Sequence, residues 1–123
     1  MATYKPLKNQ LVNKNIANIA AADSRLAVVI NESRKGNVNF SIGRGTVNEP
    51  DYLGKLWVGD GAKKTSDGSG WISADGTRVY RPPVKKVSPY AVTSIQANFE
   101  IYRINAVTGQ RVKIGNGHLN VID

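Results

Sequence analysis

Cysteine is absent from this chain, so no disulfide framework, thiolate metal site or thiol nucleophile is available, and the fold must stand on packing. Histidine occurs once, at position 118, and any imidazole acid–base chemistry must run through it. Acids are scarce: nine against seventeen lysines and arginines, a formal charge of +8. The excess is not confined to a tail, since residues 1–60 hold eight basic and five acidic side chains and residues 61–123 hold nine and four. A field of that sign draws polyanions, so RNA, DNA, an anionic membrane or an acidic protein are the candidate partners. No apolar run approaches the ~20 residues that span a bilayer as a helix, and the opening MATYKPLKNQ lacks the apolar core of an export signal.

What is present suits one compact domain. With 123 residues, of which 41% are hydrophobic, there is material for a single core. Residues 1–14 are polar and lysine-spaced and read as a linker or domain edge, as in a piece cut from a longer chain, with one domain over 15–123. Ile16, Ile19, Ala20, Leu26, Val29 and Ile30 recur at helical spacing, which predicts two helical pieces with Asp23 or Ser24 capping the second and Gly36 closing it. Val38, Phe40 and Ile42 alternate as a short strand ended by Gly43-Arg44-Gly45. Glu49 to Val58 reads as a helix with Asn48 as cap and Pro50 in its first turn, burying Leu53, Leu56 and Trp57.

Gly59 to Gly70 carries four glycines and reads as a long loop. Beyond it the period changes to two. Ala97, Phe99 and Ile101 alternate with Gln96, Asn98, Glu100 and Tyr102; Val112 and Ile114 follow, and Gly115-Asn116-Gly117 reads as a turn into Leu119 and Val121. The expected fold is α+β, with N-terminal helices packed on a C-terminal antiparallel sheet.

The segment Trp71–Glu100 concentrates Arg78, Arg81, Lys85 and Lys86 beside Tyr80 and Tyr90, with Asp75 and Glu100 as its only acids. Cations fixed near aromatic rings suit a nucleic-acid backbone with stacked bases. If strands 95–105 and 118–122 share a sheet, His118 shares a face with Asn98, Glu100 and Tyr102. Metal-free RNA cleavage needs a base for the 2′-hydroxyl, an acid for the leaving 5′-oxygen and a cation for the phosphorane, each proton transfer contributing about 10²–10⁴ in rate. Glu100, His118 and one of Arg78, Arg103 or Lys85 fit those three roles.

Rival sites are weaker. The glycines at 59–61 and 68–70 lack the spacing and the Lys-Ser/Thr ending of a phosphate-binding loop. Asp51, Asp60, Asp67, Asp75 and Glu100 are available to a metal-dependent nuclease, but no two lie close on a predicted strand. Ser88, Thr93 and Ser94 have no base nearer than His118.

The stretches Gly54–Gly61, Ser73-Ala74-Asp75-Gly76-Thr77-Arg78, Tyr80-Arg81-Pro82-Pro83, Gln96-Ala97-Asn98-Phe99-Glu100 and Asn116-Gly117-His118-Leu119 together resemble the C-terminal toxin domains of filamentous-haemagglutinin-like proteins of contact-dependent growth inhibition. The resemblance implies an RNA-cutting toxin, very often directed at transfer RNA, on a nuclease fold like that of barnase and the colicin ribonucleases. It also implies a large cell-surface parent protein, action in the target-cell cytoplasm, and a cognate immunity protein; the basic run predicts that such a partner covers Arg78–Lys86 with an acidic surface. Some relatives exploit a host translation factor. The resulting expectation is a cofactor-free endoribonuclease with His118, Glu100 and Arg78 catalytic, and with Arg81, Lys85, Lys86, Tyr80, Trp71 and Asn98 holding substrate. A metal-dependent DNase toxin and a non-catalytic RNA-binding module are the alternatives.

Overall fold

A computed structural model describes residues 16–85 and 95–122; the expected linker 1–14 and Lys86 lie outside the described residues. The helical period of the N-terminal third resolves into α1, described over 16–22, and α2, Ser24–Arg34. Asp23 separates them in an extended conformation, and its carboxylate accepts from the Arg25 backbone N–H at 2.8 Å, the N-cap bond that Asp makes readily. Gly36, at φ 90°, lets the chain leave α2 in the left-handed region. The third helix, α3, spans Glu49–Val58 with Pro50 in its first turn.

Among the described residues the strands are β1 (Asn39–Thr46), which lies between α2 and α3 in the chain, then β2 (Lys63–Lys64), β3 (Trp71–Ile72), β4 (Arg78–Lys85), β5 (Ile95–Ile104) and β6 (Arg111–Ile122), in the spatial order β1-β6-β5-β4-β3-β2. The fold is mixed α+β. The sheet is not the purely antiparallel one expected, because β1 runs parallel to β6, with Asn39 opposite Asn116 and Thr46 opposite Ile122. Strand β1 also continues through Gly43 and Gly45 instead of ending there, by way of a register shift between Ser41 and Gly43.

A second departure concerns Gly115-Asn116-Gly117, which lies inside β6 and makes no turn. The glycines are there for closeness. A Cβ at Gly117 would sit 2.7 Å from Ile42 Cγ2 and 2.9 Å from Val29 Cγ2, and one at Gly115 would sit 2.8 Å from Ser33 Cβ. Helix α2 therefore packs directly on the β6 backbone.

The core lies between the helices and one face of the sheet, where Leu26, Val29, Leu53 and Trp57 meet Tyr80, Ala97, Phe99 and Leu119. Phe99 is central, edge-on to Trp57 at 6.4 Å between centroids and tilted against Tyr80 at 5.1 Å. The buried Trp57 Nε1–H donates to the carbonyls of both Val79 and Glu100, tying α3 to β4 and β5. Arg25 adds a polar clamp, its guanidinium bonding Asp23, Glu49 and the Arg44 carbonyl, which links α2 to α3 and β1. No helix among the described residues is long and apolar enough to cross a membrane.

Candidate active site

Cross-strand partners point to the same side of a sheet, so the ladder assigns each side chain a face. Tyr80, Phe99 and Gly117 lie abreast on the side that carries α2 and α3. The intervening residues Arg81, Asn98 and His118 lie abreast on the other side, with Val79, Glu100 and Asn116 one step along and Gln96 and Asn120 one step back. That far side holds a continuous polar cluster. Gln96, Asn98, Glu100, His118 and Asn120 are all buried within it.

His118 sits between two amides. Its Nδ1 is 3.1 Å from Gln96 Oε1 and 3.2 Å from Asn98 Nδ2. The amides are themselves oriented, since Gln96 Nε2 donates to Asn120 Oδ1 at 3.0 Å and Asn98 Nδ2 donates to Asn116 Oδ1 at 2.9 Å. Nδ1 thus lies between the Gln96 carbonyl, which accepts, and the Asn98 amide nitrogen, which donates, and the ring's tautomer decides which of the two it bonds.

Glu100 occupies the other end. Its Oε2 accepts from Arg81 Nε at 3.2 Å and from Lys113 Nζ at 3.1 Å, and its Oε1 accepts from the Tyr102 hydroxyl at 2.7 Å. Burial pushes the Glu100 carboxyl up, but the Tyr102 hydroxyl, the Lys113 ammonium and the Arg81 guanidinium outweigh it and hold the group below the ordinary glutamate value. Tyr102 moves the opposite way, to about 12, because burial and then the bond to a carboxylate disfavour its phenolate. Arg81 and Lys113 keep 30% and 38% of their side-chain surface exposed, against 3% for Glu100, so this is the end of the cluster at which cations reach solvent.

Arg81 serves a second purpose. Its Nη1 reaches Asp67 at 3.5 Å and bonds Ser69 Oγ, while Asp67 accepts from Thr65 Oγ1 at 2.6 Å and from the Ser69 backbone at 3.0 Å. The glycine-rich loop is thus folded around Asp67 and fastened to the sheet through Arg81. Those hydrogen bonds, led by the Thr65 hydroxyl, hold the Asp67 carboxyl well below its ordinary value.

Of the residues expected at a site, the structure brings together His118, Glu100, Asn98 and Arg81. Arg78 is not among them. It lies on the helix side, 5% exposed, with Nε donating to the Trp57 carbonyl at 2.7 Å and Nη1 reaching Asp75 at 3.3 Å. A strand sends alternate residues to opposite faces, and Arg78 shares the face of Tyr80, not that of Arg81. Tyr80 is placed like Arg78, buried against Phe99 with its hydroxyl donating to Asp51 at 2.9 Å, so it offers no free ring for stacking. Trp71 stands opposite Tyr80 on the helix side and is 40% exposed. Lys85 ends β4 opposite Ile95, and Lys86 is outside the described residues.

Lys113 is the site residue that sequence reasoning missed. A register shift between Ile101 and Tyr102 places Lys113 opposite Tyr102, on the His118 face, although simple parity from His118 would send it to the other side. Among the described residues no group of three or more His, Asp or Glu side chains is arranged to share a metal ion. No family profile, curated protein or solved structure matches this chain.

Proposed function

We propose that this chain is an endoribonuclease toxin of interbacterial competition that cleaves RNA, transfer RNA foremost, by attack of the 2′-oxygen on the adjacent phosphate. The observation that carries the reading is the pairing on one sheet face of a buried, ionised Glu100 flanked by two cations with the chain's only histidine. In this mechanism Glu100 takes the 2′-hydroxyl proton. Arg81 and Lys113, whose outer surfaces reach solvent, hold the non-bridging oxygens as charge builds on the phosphorane. His118, protonated at both nitrogens with Nδ1–H directed to Gln96, gives the Nε2 proton to the departing 5′-oxygen, leaving a 2′,3′-cyclic phosphate and a free 5′-hydroxyl. Protons balance, since Glu100 gains the one that His118 loses in kind. His118 is buried, so productive binding requires the substrate to reach it by opening this face.

The surrounding biology in this proposal follows the resemblance: a large cell-surface parent, delivery into a target-cell cytoplasm, and an acidic immunity partner. Purified chain incubated with total RNA and with plasmid DNA, each with and without EDTA, tests the activity. RNA cleavage that survives EDTA and ends in cyclic phosphate is expected. Plasmid nicking abolished by EDTA, or salt-sensitive RNA retention without cleavage, would overturn the proposal. Full cleavage by a folded His118→Ala variant would remove His118 from the mechanism.

A further inference from the structure

On the helix side of the sheet, a cavity of about 730 Å³ opens between α3, the residues that follow it, and strands β3 and β4. Its walls include Asp51, Lys55, Asp60, Trp71, Tyr80 and Pro82. The charge pattern around it is unusual for a chain of net charge +8. Asp23, Glu32, Glu49, Asp67, Asp75 and Glu100 each have a Lys or Arg partner. Asp51 and Asp60 are the two acids among the described residues that have none, and both line this cavity.

We infer that the cavity is a guanine-binding subsite for the nucleic acid. Three features of the pocket select that ligand class. Trp71, 40% exposed, offers an indole face on which a planar base can stack. The Asp51 carboxylate has one oxygen engaged by the Tyr80 hydroxyl at 2.9 Å and a second that accepts from no described group. A carboxylate is acceptor-only and matches an edge with adjacent N–H donors, and guanine alone among the common bases presents a ring N–H beside an amino group. Cations also meet this surface, with Lys64 Nζ over one face of the Trp71 ring, 5.7 Å from its centroid, and Lys55 in the wall. They suit a ligand that carries phosphate and repel a lysine or arginine side chain, the other chemistry that the two carboxylates would attract.

The cavity and the proposed active site lie on opposite faces of β4, since Tyr80 and Pro82 line the cavity while Arg81 between them reaches Glu100. The role as a substrate subsite rests on the ribonuclease reading, but occupancy by guanine does not. The full chain is therefore titrated with free GMP, IMP and AMP, following indole fluorescence and backbone amide shifts; Trp57 is fully buried, so Trp71 is the responsive indole. GMP is expected to bind about tenfold or more tightly than AMP, with IMP between them because it keeps the ring N–H and lacks the amino group. Asp51→Asn, which retains an acceptor for Tyr80, and Asp60→Asn are each expected to reduce the GMP–AMP difference by severalfold. Equal affinity for GMP and AMP, shifts mapping away from Trp71 and Asp51, or tighter binding of arginine methyl ester than of GMP would overturn the inference. If GMP binds as described and RNA remains uncut, the subsite stands and the nuclease reading falls; if RNA is cut and GMP does not bind, the reverse holds.

Discussion

Replacing Glu100 by Gln removes one charge and almost no volume from the centre of the cluster, and its effect can be worked out at two levels. In the native protein Oε2 takes two charge-assisted hydrogen bonds, from Arg81 and Lys113. Glu100→Gln turns two ion-pair hydrogen bonds into cation–amide ones, a loss of about 1 kcal/mol per bond at most. Both cations are about one-third exposed, and water recovers part of that loss. The expected destabilisation at pH 7 is therefore about 1–2 kcal/mol.

The pH dependence sharpens the test. The folded Glu100 carboxyl titrates below its ordinary value of 4.5, so the folded state binds fewer protons there than the unfolded chain does. Its stabilising contribution is complete above the unfolded value and is lost as pH falls through the lower, folded one. Urea unfolding of wild type and Glu100→Gln at pH 7 and at pH 3 should show a gap that narrows on acidification. The other paired carboxylates, among them Asp23, Asp67 and Asp75, are common to both proteins and cancel in the difference. A gap independent of pH, or a variant as stable as wild type at pH 7, would refute the account of Glu100 as a net-stabilised anion. On RNA, the folded variant should lose about 10²–10⁴ in cleavage rate.

Tyr102→Phe deletes the hydroxyl that donates to Glu100 Oε1, which raises the carboxyl's pKa; the acid limb of the cleavage–pH profile should move to higher pH, and an unmoved limb counts against Glu100 as the base. Arg78→Met leaves the Trp57 carbonyl without its side-chain donor and should cost about 2–4 kcal/mol by chemical denaturation, with cleavage per folded molecule unchanged. Gly54→Ala places a Cβ 2.3–2.6 Å from three Tyr80 ring carbons on a ring held by Phe99 and Asp51. Overpacking of about 1–3 kcal/mol outweighs a helix-propensity gain of about 1 kcal/mol, and a thermal melt at or above wild type would contradict it.

Local periodicity carried much of this fold. The break at Asp23, the bounds of α3 and the alternation of β5 were legible because each rests on neighbours within a few residues: a cap bond, a proline in the first turn, a period of two. The parity of β5 and β6 alone put Asn98, Glu100 and His118 on one face. What was illegible was long-range. Nothing near Phe40 announces that β1 will lie parallel to a strand more than seventy residues later, and Gly115 and Gly117 carry the usual look of a turn until Val29, Ser33 and Ile42 are seen pressing on their backbones. The burial of Arg78 and Tyr80 was illegible for a related reason: it depends on the Trp57 carbonyl and the Asp51 carboxylate, both more than twenty residues away in sequence.

The far face of the sheet is built in a way that stability alone does not require. A sheet face covered in a folded protein is most simply built from apolar residues, and the helix side of this one largely is, through Tyr80, Ala97, Phe99, Ile101 and Leu119. On the other side the chain buries Gln96, Asn98, Glu100, His118 and Asn120. Each of those groups exchanges water hydrogen bonds for protein ones at a net gain of about 1 kcal/mol or less, and a carboxylate taken out of water costs several kcal/mol before its partners offset it. An apolar face of equal volume would be at least as stable. What the polar arrangement secures is orientation: amides that fix one ring nitrogen of His118, and cations that keep Glu100 ionised in a buried setting. Both are conditions for proton transfer at defined atoms, which packing alone would not require.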